Sequence, residues 1–286
     1  MPGGDCLVRL TRRGDPDFPL ALGDLEGVPP HLFWIGSRWP PPERSVAVVG
    51  SRAATDYGLE MAWRLSADLV RAGVAVVSGM ARGIDQAAHE GALAAGGVTF
   101  AVLAVSPGTA YPREAHDLHE RILLHGAACS PFPHGVAPRP SLFLTRNRVV
   151  AGLSRGVIVV EAAAQSGART TASWAKRWGR FVGAVPGDVT REGSLGTLAL
   201  LRGGAVPIGD AGHVLHELEH AAVPLDPASR LLEAVKTRPQ TVAALARHAG
   251  LSESEAITHL VALELAGAIE RRSGGRYARR REEAPR

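Results

Sequence analysis

The segment that decides the fold is Val46-Ala-Val-Val-Gly50, an unbroken apolar run that ends in a glycine and is followed by Ser51 and Arg52. Four later segments have the same character: Val74-Ala-Val-Val-Ser-Gly79, Phe100-Ala-Val-Leu-Ala-Val-Ser106, Val157-Ile-Val-Val-Glu161 and Arg180-Phe-Val-Gly-Ala-Val-Pro186. Such runs, rich in β-branched residues and free of polar alternation, are typical of strands buried on both faces of a parallel sheet. Amphipathic segments between most of them fit crossover helices. We therefore expect an α/β fold with a doubly wound, mostly parallel sheet.

Residues that directly follow these runs are the first candidates for function, because ligands of such sheets bind outside the carboxyl ends of the strands. They are Gly50 to Arg52, Ser78 with Gly79, Ser106 to Gly108, Glu161, and Pro186 with Gly187.

Length and composition bound the class of protein. A chain of 286 residues can hold one large and one small domain, and its 45% hydrophobic and 21% charged residues are ordinary for a globular protein. No apolar run approaches the ~20 residues that span a bilayer, and no signal peptide is recognisable. Cys6 and Cys129 provide neither a disulfide framework nor a metal set. We expect a soluble cytoplasmic protein without a metal.

The net charge of +4 and the sequence pI of about 9.6 favour an anionic partner. Lys176 and Lys236 are the only lysines among the 32 basic residues. An arginine-rich composition also arises from genomic base composition. The placement of individual arginines, and not the net charge, therefore has to decide the question.

The pattern along the chain divides it into several parts. Thr241 as a helix cap, a Ser252–Glu255 capping box and a turn at Gly274-Gly275 predict helices followed by a hairpin, which is the winged-helix plan. The predicted parts are a lead-in packed on the main domain at 1–44, the main domain at 45–222, a proline-marked linker at 223–227, the winged-helix domain at 228–281 and a tail at 282–286.

The first strand turn lacks the motifs of nucleotide binding. The chain has no G-x-G-x-x-G after this strand and no G-x-x-x-x-G-K-[ST], and the second strand ends in Ser78-Gly79 instead of an acidic residue. No cofactor is therefore expected. Arg52, directly after a strand and beside a helix start, fits a phosphate contact. An ordinary salt bridge at the sheet edge is the alternative.

Asp85 and His89 lie four residues apart on the next expected helix, where their side chains can face each other. Acid–base chemistry is one interpretation. We favour a structural pair that holds the loop to the helix, because no nucleophile or metal set converges on it. No catalytic residue is assigned, and we expect the chain not to be an enzyme.

The densest basic stretch begins at Arg139 and ends at Arg148, with Phe143 near its centre. An aromatic ring flanked by arginines combines a stacking platform with phosphate contacts, as single-stranded nucleic acid requires. Arg113, beyond the third strand, extends this basic track. One alternative stays open, in which Phe143 packs in the core and Arg146 contacts carbonyl groups.

A second candidate anion site follows the fourth strand. The stretch from Ser166 to Thr171 places hydroxyl groups and a glycine at a helix start, and we take Ser166, Gly167 and Thr170 as its candidate residues. We interpret Glu161 as a hydrogen-bond acceptor for a loop. Gly79, after the second strand, permits close approach of the backbone.

Six motifs occur in an order that resembles the DprA family, also called Smf, the DNA-processing proteins of natural transformation. The resemblance runs from about Pro19 to Gly212, and the C-terminal winged helix resembles the one that many members carry. The motifs are Gly50-Ser-Arg52 with its strand, Ser78-Gly-Met-Ala-Arg-Gly-Ile-Asp85 with His89, Tyr111-Pro112, Arg146-Asn-Arg-Val-Val-Ala-Gly-Leu-Ser154, Val-Val-Glu161-Ala to Ser-Gly167, and Ala184-Val-Pro-Gly187.

The resemblance implies an extended Rossmann-like fold that binds and protects incoming single-stranded DNA. It also implies a homodimer that loads the RecA recombinase during transformation and recombination. The family's DNA site maps onto Arg52, Arg113, Arg139 and Phe143, with Arg146 adjacent, and we add Ser51, Gly79, Asn147, Arg148, Ser166, Gly167 and Thr170 to the candidate DNA-binding set.

Two departures from the family pattern put loop geometry in question more than the fold. Ser130-Pro131 stands where the family often has Ser-Glu, and Phe143-Leu144 stands where it usually has Phe-Pro.

Two other functions compete with DNA binding. One is a nucleotide hydrolase of the lysine-decarboxylase-like group, whose Pro-Gly-Gly-x-Gly-Thr signature is met neither by Pro186-Gly-Asp188 nor by the segment that ends at Thr197. The other is a regulator that reads DNA through its winged helix. Acidic residues and few base-reading groups in the segment from Glu253 to Leu265 argue against it, although arginines of the hairpin remain available for phosphate.

Overall fold

The computed structural model describes residues 7–23, 25–220, 227–235 and 239–279. The chain divides into two compact units after residue 221. Most of the predicted linker and all of the predicted tail lie outside the described residues. Within these residues, no helix is both long enough and apolar enough to cross a membrane.

The first unit is built on one nine-stranded sheet. Its order is β1-β2-β6-β5-β4-β3-β7-β8-β9, with antiparallel pairing of β1 with β2 and of β2 with β6 and parallel pairing elsewhere. The strands are β1 Arg9–Arg12, β2 His31–Gly36, β3 Ser45–Val49, β4 Ala75–Ser78, β5 Thr99–Val102, β6 Ala127–Ser130, β7 Gly156–Val159, β8 Phe181–Ala184 and β9 Val206–Pro207.

Helices cover both faces of this sheet. Alternate residues of β3 enter different cores: Val46 and Val48 face the core that includes α1, α2 and α7, whereas Ala47 and Val49 face the core that includes α4 and α5. The helices are α1 Asp56–Arg71, α2 Ile84–Ala94, α3 His116–His125, α4 Pro140–Gly152, α5 Gly167–Arg177, α6 Leu195–Arg202 and α7 Ala211–His220. The expected doubly wound, mostly parallel sheet is thereby confirmed.

The order of the strands reverses beside β3. The chain runs outward from β3 through β4 to β5 and β6, and later returns to β7 on the other side of β3. Such a reversal opens a crevice at the carboxyl ends of the two central strands, which is where ligands of doubly wound sheets bind. Gly50 to Arg52 follow β3 at this point.

Four strands of the sheet are not among the five predicted runs: β1, β2, β6 and β9. The lead-in therefore does more than pack on the main domain, since β1 and β2 extend the sheet at one edge. Strand β6 reads Ala-Ala-Cys-Ser and lacks β-branched residues, so its strand character comes from pairing with β5 and β2.

The second unit has the winged-helix arrangement that the sequence predicts. The capping box is present, with Ser252 Oγ accepting from the Glu255 N–H at 3.2 Å and Glu255 accepting from the Ser252 N–H at 2.8 Å. A core of its own includes Leu245, Leu260 and Tyr277. Its elements are α8 Pro227–Ala234, β10 Gln240–Thr241, α9 Val242–Ala249, α10 Glu253–Leu265, β11 Ile269–Arg272 and β12 Arg276–Arg279.

Candidate nucleic-acid interface

A cleft lies at the carboxyl ends of the central strands, and we call it the strand-end cleft. It consists of three adjoining cavities of about 840, 390 and 350 Å³, and each of them is lined by Arg52 and Phe143. Arg52 follows β3, and Phe143 lies in the first turn of α4. The topology thus brings together two residues that are 91 positions apart and that the sequence predicts as one site.

Phe143 is half-buried and stands at the centre of this cleft. The guanidinium carbon of Arg52 lies 5.0 Å from the centre of its ring, and that of Arg146 lies 5.7 Å from it. The ring of Tyr111 is tilted against it, with 5.9 Å between the centroids. Phe143 belongs to none of the hydrophobic cores of the first unit. Its position favours the interpretation as a stacking platform over the interpretation as a core residue.

Arg146, in contrast, lies beneath the cleft, with only 5% of its surface exposed. Its guanidinium donates to the Val102 carbonyl at 3.3 Å and lies 3.8 Å from the Asp85 carboxylate. Burial lowers the pKa of Arg146, while the charge of Asp85 acts in the opposite direction. Burial raises the pKa of the Asp85 carboxyl group, and the positive charge of Arg146 acts to lower it. The alternative that Arg146 contacts carbonyl groups is therefore correct, and this arginine forms the floor of the site.

Gly79 makes room for this floor. A Cβ atom at this position would lie 1.2 Å from Nη1 of Arg146 and 2.7 Å from the Asp85 carboxylate. The lack of a side chain at Gly79 permits a close approach, as the sequence predicts. The group that approaches is the Arg146 side chain of the same protein.

Three exposed arginines surround the cleft: Arg52, Arg113 and Arg139. Arg113 begins the short 3-10 turn Arg113–Ala115, and Arg139 precedes the first residue of α4. None of the three forms a salt bridge within the part of the chain that the structure describes. A fourth arginine of the lining, Arg82, was not predicted and is paired with Glu114. The unneutralised charge of the cleft thus lies on the three predicted residues.

The cavity of about 390 Å³ lies between the ends of β3 and β7 and contains the second predicted anion site. Asn147 Nδ2 donates to the Gly167 carbonyl at 3.1 Å, and Ser166 Oγ caps α5 by accepting from the Ala168 N–H at 3.2 Å. Ser51, Asn147, Ser166 and Gly167 all line this cavity.

Thr170 does not line this cavity, which corrects the prediction. Thr171 does so instead, with its hydroxyl 3.4 Å from the Gly167 carbonyl. Thr171 is turned inward and buried, whereas Thr170 is only half-buried and lies outside this lining.

Arg148 also departs from the prediction. Its guanidinium donates to the Gly27 carbonyl at 3.2 Å and lies over Trp174, 4.6 Å from the ring centroid, and it lines none of the cavities of the cleft. Residues two apart on a helix point in nearly opposite directions, so Arg146 and Arg148 cannot both face the same site.

The first unit corresponds to a known family. The family model of DNA recombination-mediator protein A matches residues 9–219. The chain belongs to the DprA family. The model of the DprA winged helix domain matches residues 217–275, which agrees with the second unit.

Relatives of this DprA-family chain include a DprA protein of Mycobacterium tuberculosis, 42% identical over 246 residues. That alignment covers 81% of this chain and 63% of the relative, so the chain matches less than two thirds of the relative's length. Protein Smf of Escherichia coli is 37% identical over 286 residues, which cover 93% of this chain and 73% of that protein.

Two solved DprA structures share the fold. DprA of Streptococcus pneumoniae superposes with a TM-score of 0.68 at 34% identity, covering 73% of this chain and 74% of that one. DprA of Helicobacter pylori, whose structure is described as showing its single-stranded DNA binding mode, superposes with a TM-score of 0.65 at 28% identity. The superposed residues make up 74% of this chain and 96% of the Helicobacter pylori chain.

The titratable residues of this DprA-family chain that suggested acid–base chemistry are held in structural contacts. His89 Nδ1 lies 2.7 Å from Thr99 Oγ1, which in turn donates to the Val76 carbonyl, and no hydrogen bond joins His89 to Asp85. Burial, with the charge of Arg146, lowers the pKa of His89 to about 3. Glu161 accepts from the Thr55 N–H at 2.9 Å and so holds the loop before α1, as its sequence interpretation proposes.

Proposed function

We propose that this chain binds single-stranded DNA in the strand-end cleft, with Phe143 as the stacking platform and Arg52, Arg113 and Arg139 as the phosphate contacts. One observation carries the proposal: an accessible aromatic ring stands among three arginines that form no salt bridge with any residue that the structure describes. A ligand for this arrangement has to offer flat rings and negative charge at short intervals, and single-stranded nucleic acid offers both. The described binding mode of the Helicobacter pylori relative supports the same ligand.

A single strand is favoured over a duplex because a base that stacks on Phe143 has to leave its neighbours. In a duplex this step costs the energy of unpairing and unstacking, a few kcal/mol. Fluorescence anisotropy with one labelled oligonucleotide, used alone and annealed to its complement, tests the proposal. Tighter binding of the single strand is expected, and equal affinity for both forms would contradict it.

The proposal extends to what the family implies for the whole protein: protection of incoming DNA, a homodimer, and loading of RecA during natural transformation and recombination in the cytoplasm. It also includes the absence of catalytic turnover. Asp85, His89 and Glu161 support this last point, because each is engaged in a structural contact: Asp85 with Arg146, His89 with Thr99 at the start of β5, and Glu161 with the loop before α1.

Arg52→Ala is expected to weaken single-strand binding and to flatten its salt dependence. Loss of one phosphate contact reduces the slope of log K against log salt by about 0.7 for a single strand. Titrations at several salt concentrations measure this slope. Arg148→Ala is the matched control, since it also removes a guanidinium but outside the cleft. Equal changes of slope in both variants would remove Arg52 from the site.

Truncation after residue 222 is expected to leave a folded protein that keeps most of its single-strand affinity. The exposed arginines of the cleft all precede this point, and each unit has its own hydrophobic core. Thermal unfolding and anisotropy of residues 1–222 against the full chain provide the measurement. Near-complete loss of binding by a folded truncated chain would place the main DNA site in the winged-helix unit.

A further inference from the structure

Arg82 and Glu114 form a salt bridge in the wall of the strand-end cleft. Arg82 lies in the turn between β4 and α2, and Glu114 lies in the short 3-10 turn before α3. Nε of Arg82 donates to Oε1 of Glu114, and Nη2 lies against the same oxygen. Both residues line the cavity of about 840 Å³. The salt bridge therefore lies within reach of a strand that stacks on Phe143 in this cavity.

The turn that carries Arg82 is held against the turn that carries Arg52. Gly83 has a φ of +79°, and a Cβ atom on it would lie 2.4 Å from the Ser51 carbonyl oxygen and 3.0 Å from that of Arg52. The Ile84 N–H donates to the same Ser51 carbonyl at 3.2 Å. The fold thus places a second arginine beside the arginine that follows β3, and a carboxylate neutralises only the second one.

Glu114 has the wrong charge for its surroundings. It is the only carboxylate among the described residues that line this cavity, which is also lined by Arg52, Arg82, Arg113 and Arg146. A carboxylate in this place repels phosphate. Its contact with Arg82 nevertheless uses Nε and Nη2, an edge of the guanidinium that binds carboxylate and phosphate alike. The carboxylate therefore occupies a position on Arg82 that a phosphate could take.

The salt bridge is open to exchange. The side chains of Arg82 and Glu114 are 68% and 51% exposed, so water and salt screen their attraction. Glu114 also lines an adjoining cavity of about 910 Å³, most of whose other lining residues belong to α1, α2 and α3. The carboxylate therefore has space on its other side when it leaves Arg82.

We propose that the Glu114 carboxylate stands in for a phosphate on Arg82 and gives way to a phosphate of the bound single strand. Arg82 is then a fourth phosphate contact of the cleft, available only by exchange. Glu114 in turn lowers the affinity of the cleft, because each binding event has to break the salt bridge. This inference rests on the proposed function, since it requires the strand to lie in the cleft.

Glu114→Gln in the full chain tests the exchange, because it removes the charge at nearly constant size. Single-strand affinity is expected to rise by about two- to fivefold, the change in an equilibrium constant that an exposed salt bridge is worth. Glu26→Gln is the matched control, since Glu26 also pairs with an exposed arginine, Arg177, but lines none of the cavities of the cleft. Anisotropy titration with a labelled oligonucleotide measures both, and equal affinities of the two variants would overturn the proposal.

Removal of Arg82 separates exchange from a mere loss of repulsion between Glu114 and the strand. In the Glu114→Gln background, Arg82→Ala is expected to abolish the gain in affinity. It should also reduce the slope of log K against log salt by about 0.7, the share of one phosphate contact on a single strand. Arg148→Ala in the same background is the control and should leave the slope unchanged. An unchanged slope after Arg82→Ala would mean that Arg82 meets no phosphate and would overturn the proposal.

Phe143→Ala distinguishes a failure of this inference from a failure of the proposed function. If Phe143→Ala weakens binding while Glu114→Gln leaves the affinity unchanged, the strand lies in the cleft and only the exchange on Arg82 is overturned. If neither variant changes the affinity, the strand lies elsewhere and both proposals are overturned. A loss with Phe143→Ala, a gain with Glu114→Gln and the loss of that gain with Arg82→Ala would support both.

Discussion

Phe143→Ala is expected to weaken single-strand binding by about ten- to a hundredfold, the loss that follows from removing one base-stacking ring. The ring is contacted by the guanidinium groups of Arg52 and Arg146 and by Tyr111, but its outer part stays accessible in all three cavities of the cleft. Stacking requires a flat surface and not merely an apolar one, so Phe143→Leu should lose nearly as much affinity. Anisotropy titration with a labelled oligonucleotide measures both.

Leu144→Ala is the matched control for this prediction. Leu144 adjoins Phe143 on α4, is 50% exposed and also lines the cavity of about 390 Å³, so its truncation removes apolar surface from the same cleft without removing a ring. Its affinity should stay within a factor of about two of the unchanged protein. If Phe143→Ala behaves like Leu144→Ala while the fold is intact, stacking on this residue is not part of DNA binding.

The parallel part of the sheet was predictable because its strands are apolar on both faces. The side chains of Val46 to Val49 pack alternately into two hydrophobic cores, so every one of these residues is apolar. The result is an unbroken apolar run that can be recognised in the sequence. Strands β1 and β2 are edge or near-edge strands in a turn-rich segment, and β6 is short and rich in alanine. Their strand character depends on neighbours that are distant in the sequence, so no local pattern reveals it.

The residues of the candidate site likewise divide into those whose place the sequence predicts and those whose place only the structure reveals. Arg52, Arg113 and Arg139 were predictable because each stands at an element boundary, where side chains reach solvent. Arg146 and Arg148 lie inside α4, and the sequence alone does not fix which face of this helix meets the cleft. Burial of Arg146 depends on Asp85 and on the missing Cβ of Gly79, two features from another loop that come together only in the folded chain.

Asp85→Ala is expected to destabilise the protein by about 3–5 kcal/mol, because it leaves the guanidinium of Arg146 buried without a counter-charge. The side chains of both residues are at most 7% exposed, so water cannot take the place of the carboxylate without opening the structure. The variant also loses the acceptor for the Ala81 N–H. Urea unfolding, followed by circular dichroism, measures the free energy of unfolding.

The double variant Asp85→Ala/Arg146→Met separates an unpaired charge from a simple loss of packing. Replacing the guanidinium by an uncharged chain removes the cost of a buried ion without a partner, so the double variant should be more stable than Asp85→Ala alone. If the double variant instead loses as much stability, relative to the unchanged protein, as Asp85→Ala and Arg146→Met lose together, the two residues act independently. The ion pair would then not support the floor of the cleft, and Phe143 would depend on other contacts for its position.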